Sequence, residues 1–195
     1  MILSHTISLR SACLLLLLLL NACAWNTAPT INELAATAPS DRLSIGPYSS
    51  LSGRLIVFSP TRRWQASIDW QAAQPQTGKL RLSHALSGTV VDFRWTDHSM
   101  EVRDNNAPFW RPIQQQELNK QGIILPPRQL ASILLNQTPS HFHKIKHDTW
   151  ESMESGSPIR LRWQAKLHTL TINDVQHHRT ARLIIKSHAD LTSTR

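Results

Sequence analysis

Cys23 stands directly after seven consecutive leucines, Leu14 to Leu20, and the pair Asn21-Ala22, and its neighbours define its chemistry more closely than those of any other reactive residue. With Arg10 upstream, the order is a positive start, a short apolar middle and a small residue before a cut, the layout of an export leader. The apolar middle, Cys13 to Leu20, is too short to cross a bilayer, which takes roughly 20 apolar residues. Cys13 lies inside this leader (residues 1–22), so Cys23 has no partner in the processed chain. A thiol left unpaired in an oxidising compartment calls for a reason. Attachment of lipid is one; a buried or disulfide-bonded cysteine is the plainer alternative.

The histidines are the other reactive set. His141, His143 and His147 cluster, and His177 and His178 adjoin. Imidazoles at such spacing could hold zinc or copper, but no cysteine is near and Asp148 is the one acidic neighbour. The expectation is solvated loop histidines and no metal. The chain has no Gly-x-Ser-x-Gly elbow, no His-Glu-x-x-His helix and no glycine-rich phosphate loop. We therefore expect no enzyme, no catalytic residues and no cofactor.

The stretch Leu20-Asn21-Ala22-Cys23 resembles the bacterial lipobox. The resemblance implies cleavage before Cys23 and acylation of that residue as the new N-terminus. In such proteins an aspartate after the cysteine favours retention at the inner membrane; Ala24 stands there, which implies the outer membrane.

Charge narrows the partners. The chain carries a formal charge of +8 with sequence pI near 10.3, and removal of the leader takes away only Arg10. The basic residues are scattered along candidate strands, which reads first as solvated strand faces. Nucleic acid is excluded for an exported chain, and anionic lipid head groups or an acidic protein surface suit the charge better. Seven tryptophans supply a large apolar payload, most of it expected in the core.

The elements that would position these residues follow from period. Residues 23–49, with Pro29, Pro39 and Pro47, read as a lipidated N-terminus and tether, with one helical turn around Ile31 to Ala36. From Leu51 the period becomes two. Trp64, Ala66, Ile68 and Trp70 alternate with polar neighbours, as do Leu80 and Leu82, then Val91, Phe93 and Trp95, then Met100 and Val102. The pattern returns in Ile159, Leu161 and Trp163 and in Leu170 and Ile172. Such consecutive strands predict an antiparallel meander with one apolar face. Between the two groups, Gln114 to Gln121 predicts a polar helix. Pro126 or Pro127 opens a second, carrying Leu130, Ile133 and Leu134 and ending at Asn136. The fold class is α+β, mainly β: a curved antiparallel sheet, an incomplete barrel, with helices over its apolar concave face. Residues 50–176 form this domain, and 177–195 a basic C-terminal extension in which Arg182 to Lys186 adds one strand.

Taken in order, these segments resemble the LolB family of outer-membrane lipoprotein receptors over roughly residues 51 to 175. Leu51-Ser-Gly-Arg-Leu-Ile-Val-Phe58 resembles the family's first strand and Ile68-Asp-Trp-Gln71 its second. Leu80-Arg-Leu-Ser-His-Ala-Leu-Ser-Gly-Thr-Val-Val-Asp-Phe93 resembles the strand, loop and strand in which the family carries an exposed leucine. Leu125-Pro-Pro-Arg-Gln-Leu-Ala-Ser-Ile-Leu-Leu-Asn136 resembles its proline-initiated helix, and Pro158 to Val175 its closing hairpin. Ala85-Leu86-Ser87-Gly88 replaces a frequent Pro-Leu-Gly, Ile133 a frequent tryptophan and Asn136 a frequent glycine, which marks a divergent member.

The resemblance implies an outer-membrane lipoprotein, anchored through Cys23 and facing the periplasm. It would accept acylated lipoproteins from a LolA-like periplasmic carrier and insert them into the inner leaflet of that membrane. A monomer is expected. Each methylene exposed to water costs about 0.8 kcal/mol, so an acyl anchor crossing the periplasm unshielded faces a barrier on the order of tens of kcal/mol. Trp70, Leu82, Phe93 and Trp95 are the candidates for the acyl-chain face; ordinary core packing shares the same alternation and stands beside that reading. Leu86, in a polar turn outside either strand's alternation, is the candidate membrane-insertion residue. A structural or scaffolding envelope lipoprotein, with a packed core and a protein-binding surface, is the alternative function.

Overall fold

Alternation of one apolar and one polar residue dominates the chain from Leu51 onward, and in the computed structural model it becomes one open, eleven-stranded antiparallel sheet. The structure describes residues 43–120, 123–153 and 157–190. The leader, Cys23, the turn expected at Ile31 to Ala36 and the last five residues lie outside them.

The strands are β1 (Tyr48–Phe58), β2 (Arg63–Gln74), β3 (Thr77–Ser83), β4 (Val90–Trp95), β5 (Met100–Asp104) and β6 (Arg111–Pro112), then β7 (His143–Lys146), β8 (Thr149–Ser152), β9 (Ile159–Gln164), β10 (Thr169–Asp174) and β11 (Arg179–Asp190). Their order across the sheet is β6-β5-β4-β3-β2-β1-β11-β10-β9-β8-β7. Two meanders are thus joined where the first strand pairs with the last, Leu55 opposite Leu183. At Gly53 the register shifts, and a Cβ there would meet the Ile184 carbonyl oxygen at 2.2 Å. Glycine lets the two central backbones approach at this bulge.

One face of the sheet is apolar apart from the buried Ser152 and Asp174. Ala66, Ile68, Trp70 and Ala72 of β2 are buried, as are Leu80 and Leu82, Phe93 and Trp95, Val102, Leu161, Leu170 and Ile172, and Ala181, Leu183 and Ile185. The other face carries the arginines, which find carboxylates on the adjacent strand or, for Arg162, in the β7–β8 turn. Arg81 binds Asp92 at 2.7 Å, Arg94 binds Glu101 at 2.6 Å and Arg162 binds Asp148 at 2.6 Å. Cross-strand pairs of this kind support register, though each exposed pair contributes at most about 1 kcal/mol.

Two short helices, α1 (Gln115–Lys120) and α2 (Pro127–Leu134), occur among the described residues, both in the link from β6 to β7. Those two strands are opposite edges of the sheet, so the link must travel its whole width. It packs α2 against β2 and β3 and buries Leu118, Ile124, Leu125, Ala131, Ile133, Leu134 and Leu135. Pro127 starts α2 without needing an amide partner, and Asn136, with φ of 59°, takes the left-handed conformation after its end.

Two boundaries differ from those predicted. Leu43 and Ile45, placed in the tether, are buried in the core, and Thr138 Oγ1 donates to the Leu43 carbonyl at 2.9 Å. The stretch from residue 177 supplies β11, the strand between β1 and β10. Its arginine, lysine and histidine residues suggested an extension, yet Ala181, Leu183 and Ile185 alternate with them and face the core.

Candidate functional site

The alternation that buries Leu82 and Phe93 also places them beside an opening. They line an apolar cavity of about 170 Å³ with Trp64, Ala66, Val91 and Ile123, and its rim is formed by His84 and Thr89. These two rim residues belong to the turn between β3 and β4 that carries Leu86. Trp70 and Trp95 lie deeper, with ring centroids 5.0 Å apart, and are buried with Phe93 in the core. The Trp95 indole N–H donates to the Pro75 carbonyl at 3.0 Å. The Trp70 indole N–H is buried and has no acceptor in the protein, an arrangement that costs roughly 1–3 kcal/mol.

The structure thus puts Leu82 and Phe93 on the lining of this opening, while Phe93, Trp70 and Trp95 are each at most 2% exposed. The cavity is smaller than the roughly 300 Å³ at which ligand sites begin. A larger concavity of about 900 Å³ lies among Asp69, Arg81, Asp92, Arg94 and Arg103, with Trp70, Phe93 and Trp110 also on its lining; its many charged groups suit an acyl chain poorly. A third, about 630 Å³, separates the β6–β7 link from the end of the second meander and mixes Ile124, Leu125 and Phe142 with Asp174, His177 and Arg179.

Leu86 is 92% exposed, and its turn is braced. The His84 amide donates to the Thr89 carbonyl at 2.8 Å and the Gly88 amide to the His84 carbonyl at 3.0 Å. The Ser87 hydroxyl meets the His84 ring at 2.9 Å and the Thr89 hydroxyl at 2.8 Å. Gly88 has φ of +65°, which a side chain would strain. A second loop holds the turn from outside: Asn105 accepts from the Val90 amide and donates to the Gly88 carbonyl, both at 3.0 Å.

At the same end of the sheet, Asp174 is buried at 2% exposure and forms a latch that the alternation did not reveal. Its carboxylate accepts from Arg179 Nε at 3.0 Å and from Arg179 Nη2, from Ser157 Oγ at 2.9 Å and from the His177 ring at 3.0 Å. Arg179 also donates to the Asn119 carbonyl at 2.8 Å, fastening α1 to the β10–β11 hairpin. Burial pushes the Asp174 carboxyl up, but hydrogen bonds from Arg179, then His177 and Ser157, outweigh it and hold the pKa at about 2.

Of the clustered histidines, His141 bonds Gln129 at 2.9 Å and His177 serves this latch. Among the described residues, no three histidine, cysteine or carboxylate side chains gather to hold a metal ion. The sequence reading missed Asp174, since a polar residue on an apolar face looks like a strand end. It missed Phe109 too, although that aromatic stands in a polar loop much as Leu86 does.

Residues 49–184 match the family model described as outer membrane lipoprotein LolB. No curated protein matches the chain.

Proposed function

Since the chain belongs to the LolB family of outer membrane lipoproteins, receptors in lipoprotein localisation that act without catalysis, we propose that it takes acylated lipoproteins from a LolA-like carrier. It then places them in the inner leaflet of the outer membrane. The observation that carries this reading is the apolar cavity lined by Leu82 and Phe93, opening at the turn that holds Leu86 out into solvent. An apolar guest would have its shelter and its exit at one place.

The cavity admits only the end of a chain, so the acyl guest displaces part of the β6–β7 link and takes over its contacts with the inner face. Apolar contact replaces apolar contact, which keeps the net cost of opening low. In this reading the link and its helices are the cover of the concave face. Arg128, bonded to the Thr96 carbonyl, and Arg179, bonded to Asn119, are its fastenings. Deeper in, the unmet Trp70 N–H supplies a donor for an ester or amide carbonyl of the guest. Cys23, acylated, holds the domain at the target leaflet on the periplasmic side through the tether, and the protein works as a monomer.

A photoreactive side chain at Leu82 or Phe93 tests the assignment. It should crosslink to the acyl group of bound cargo, whereas one at Arg81, on the opposite face of the same strand, should not. Crosslinks from Arg81 alone would place the guest on the polar groove and favour a scaffolding role for the packed face.

A further inference from the structure

The end of the sheet that carries Leu86 carries a second exposed apolar residue. Phe109, in the loop between β5 and β6, is 83% exposed. Antiparallel pairing puts the β1–β2, β3–β4, β5–β6 and β10–β11 links at one end, since Phe58 pairs with Arg63 and with Thr180 and Val91 pairs with Asp104. The loops of Leu86 and Phe109 are separated by about two strand spacings, ~10 Å, and Asn105 bonds them together.

The Phe109 loop is held open as firmly as its neighbour. Asp104 Oδ1 accepts from the amides of Asn106 and Ala107, both at 2.8 Å, and the Asp104 amide donates to the Ala107 carbonyl at 3.1 Å. Trp110, the next residue, is clamped on the polar face between the guanidinium groups of Arg94 and Arg103, 4.4 and 4.6 Å from its ring. Phe109 is therefore not an aromatic left over from a slack loop. With both sides braced, it is kept in water, and a phenylalanine so placed gains from any apolar phase that reaches it.

The charge around it identifies that phase. Four of the five links at this end, residues 59–62, 84–89, 105–110 and 175–178, contain no aspartate or glutamate, and Arg62 and Arg63 stand at their edge. Asp104 is engaged with its own loop amides, and Glu154, in the β8–β9 link, lies outside the described residues. The opposite end carries Asp97 and Asp148. Apolar tips on links that hold no free carboxylate, with a cationic border and with Glu117 of the neighbouring α1 paired to Arg111 at 2.9 Å, suit a bilayer surface containing anionic lipid.

We infer that Phe109 is a second membrane contact, entering the same leaflet as Leu86, so that the receptor meets the bilayer at two points and presents the cavity mouth between β3 and β4 in a set orientation. The inference rests on the Leu86 reading above. Either side chain alone contributes roughly thirtyfold in membrane partitioning; the pair fixes a tilt that one contact cannot.

The test places the full acylated chain in vesicles of phosphatidylethanolamine and phosphatidylglycerol in which a fraction of the acyl chains bear a photoreactive diazirine. After irradiation, labelled residues are located by peptide fragmentation. Labelling at Leu86 and Phe109 should each exceed that at Leu167, 63% exposed in the β9–β10 link at the opposite end, by at least tenfold. Label at Leu86 with none at Phe109 overturns the second contact and leaves the Leu86 reading standing. Absence at both overturns both, and equal label at Leu167 removes any preferred orientation. If a LolA-like carrier, without vesicles, protects Phe109 from a water-soluble carbene reagent while vesicles do not, the residue docks protein and the inference fails.

Discussion

Leu86→Glu folds as the parent does, with an unchanged melting temperature, and inserts cargo at least about tenfold more slowly. The first half follows from exposure: the side chain is 92% exposed, and surface changes of this kind shift stability by less than about 0.5 kcal/mol. The turn does not depend on the leucine, because its closure runs through His84, Ser87, Gly88 and Asn105. The second half follows from where the residue would go. Replacing an apolar tip by a carboxylate removes a contribution of about 2 kcal/mol from burial in the acyl region and adds a charge that the leaflet rejects. Cargo binding should survive, since the cavity residues Leu82 and Phe93 are untouched. The check is a two-part assay, acceptance from the carrier and delivery to vesicles. Equal delivery by the variant would remove Leu86 from the mechanism.

Asp174→Asn should destabilise the domain by about 3 kcal/mol, the cost of leaving the Arg179 guanidinium without its counter-charge in a mostly buried site. Because Arg179 also holds the Asn119 carbonyl, the loss extends to the fastening of α1, and proteolysis between residues 113 and 142 should quicken. The pH dependence separates this role from general packing. The native carboxyl has a pKa of about 2, below the roughly 3.9 of an unfolded aspartate. The stabilisation is thus fully present above about pH 4 and disappears as pH falls toward 2, amounting to roughly 2 kcal/mol. Chemical denaturation should show the parent and the variant converging over that window. A constant gap down to pH 2 would mean that the ionised carboxylate contributes nothing.

Much of the sheet was legible because its inward residues are large and its outward residues charged. Trp64 to Trp70, Leu80 to Leu82 and Phe93 to Trp95 marked β2, β3 and β4 by period alone. The proline start and asparagine end of α2 were legible for the same local reason. β7, with one apolar residue in His143-Lys144-Ile145-Lys146, has no such signal. β11 was obscured by its basic outer face. The site divides along the same line. Leu86 stood out by breaking an alternation, whereas the Asp174 latch and the Asn105 bridge join residues 3 to 60 positions from their partners, and the folded sheet brings them together. Whether the inner face is shelter or core could not be read from alternation, since both require it. The placement of the small cavity beside the Leu86 turn is what favours shelter.

The most direct measurement is transfer in solution. A form of the domain that lacks Cys23, and so has no anchor of its own, is mixed with the LolA-like carrier loaded with an acylated lipoprotein, and the two complexes are separated. The cargo is expected to move onto the domain in a one-to-one complex, with its acyl group protected from water. Cargo that stays on the carrier, with a domain shown to be folded, would contradict the receptor reading and leave a scaffolding lipoprotein in its place.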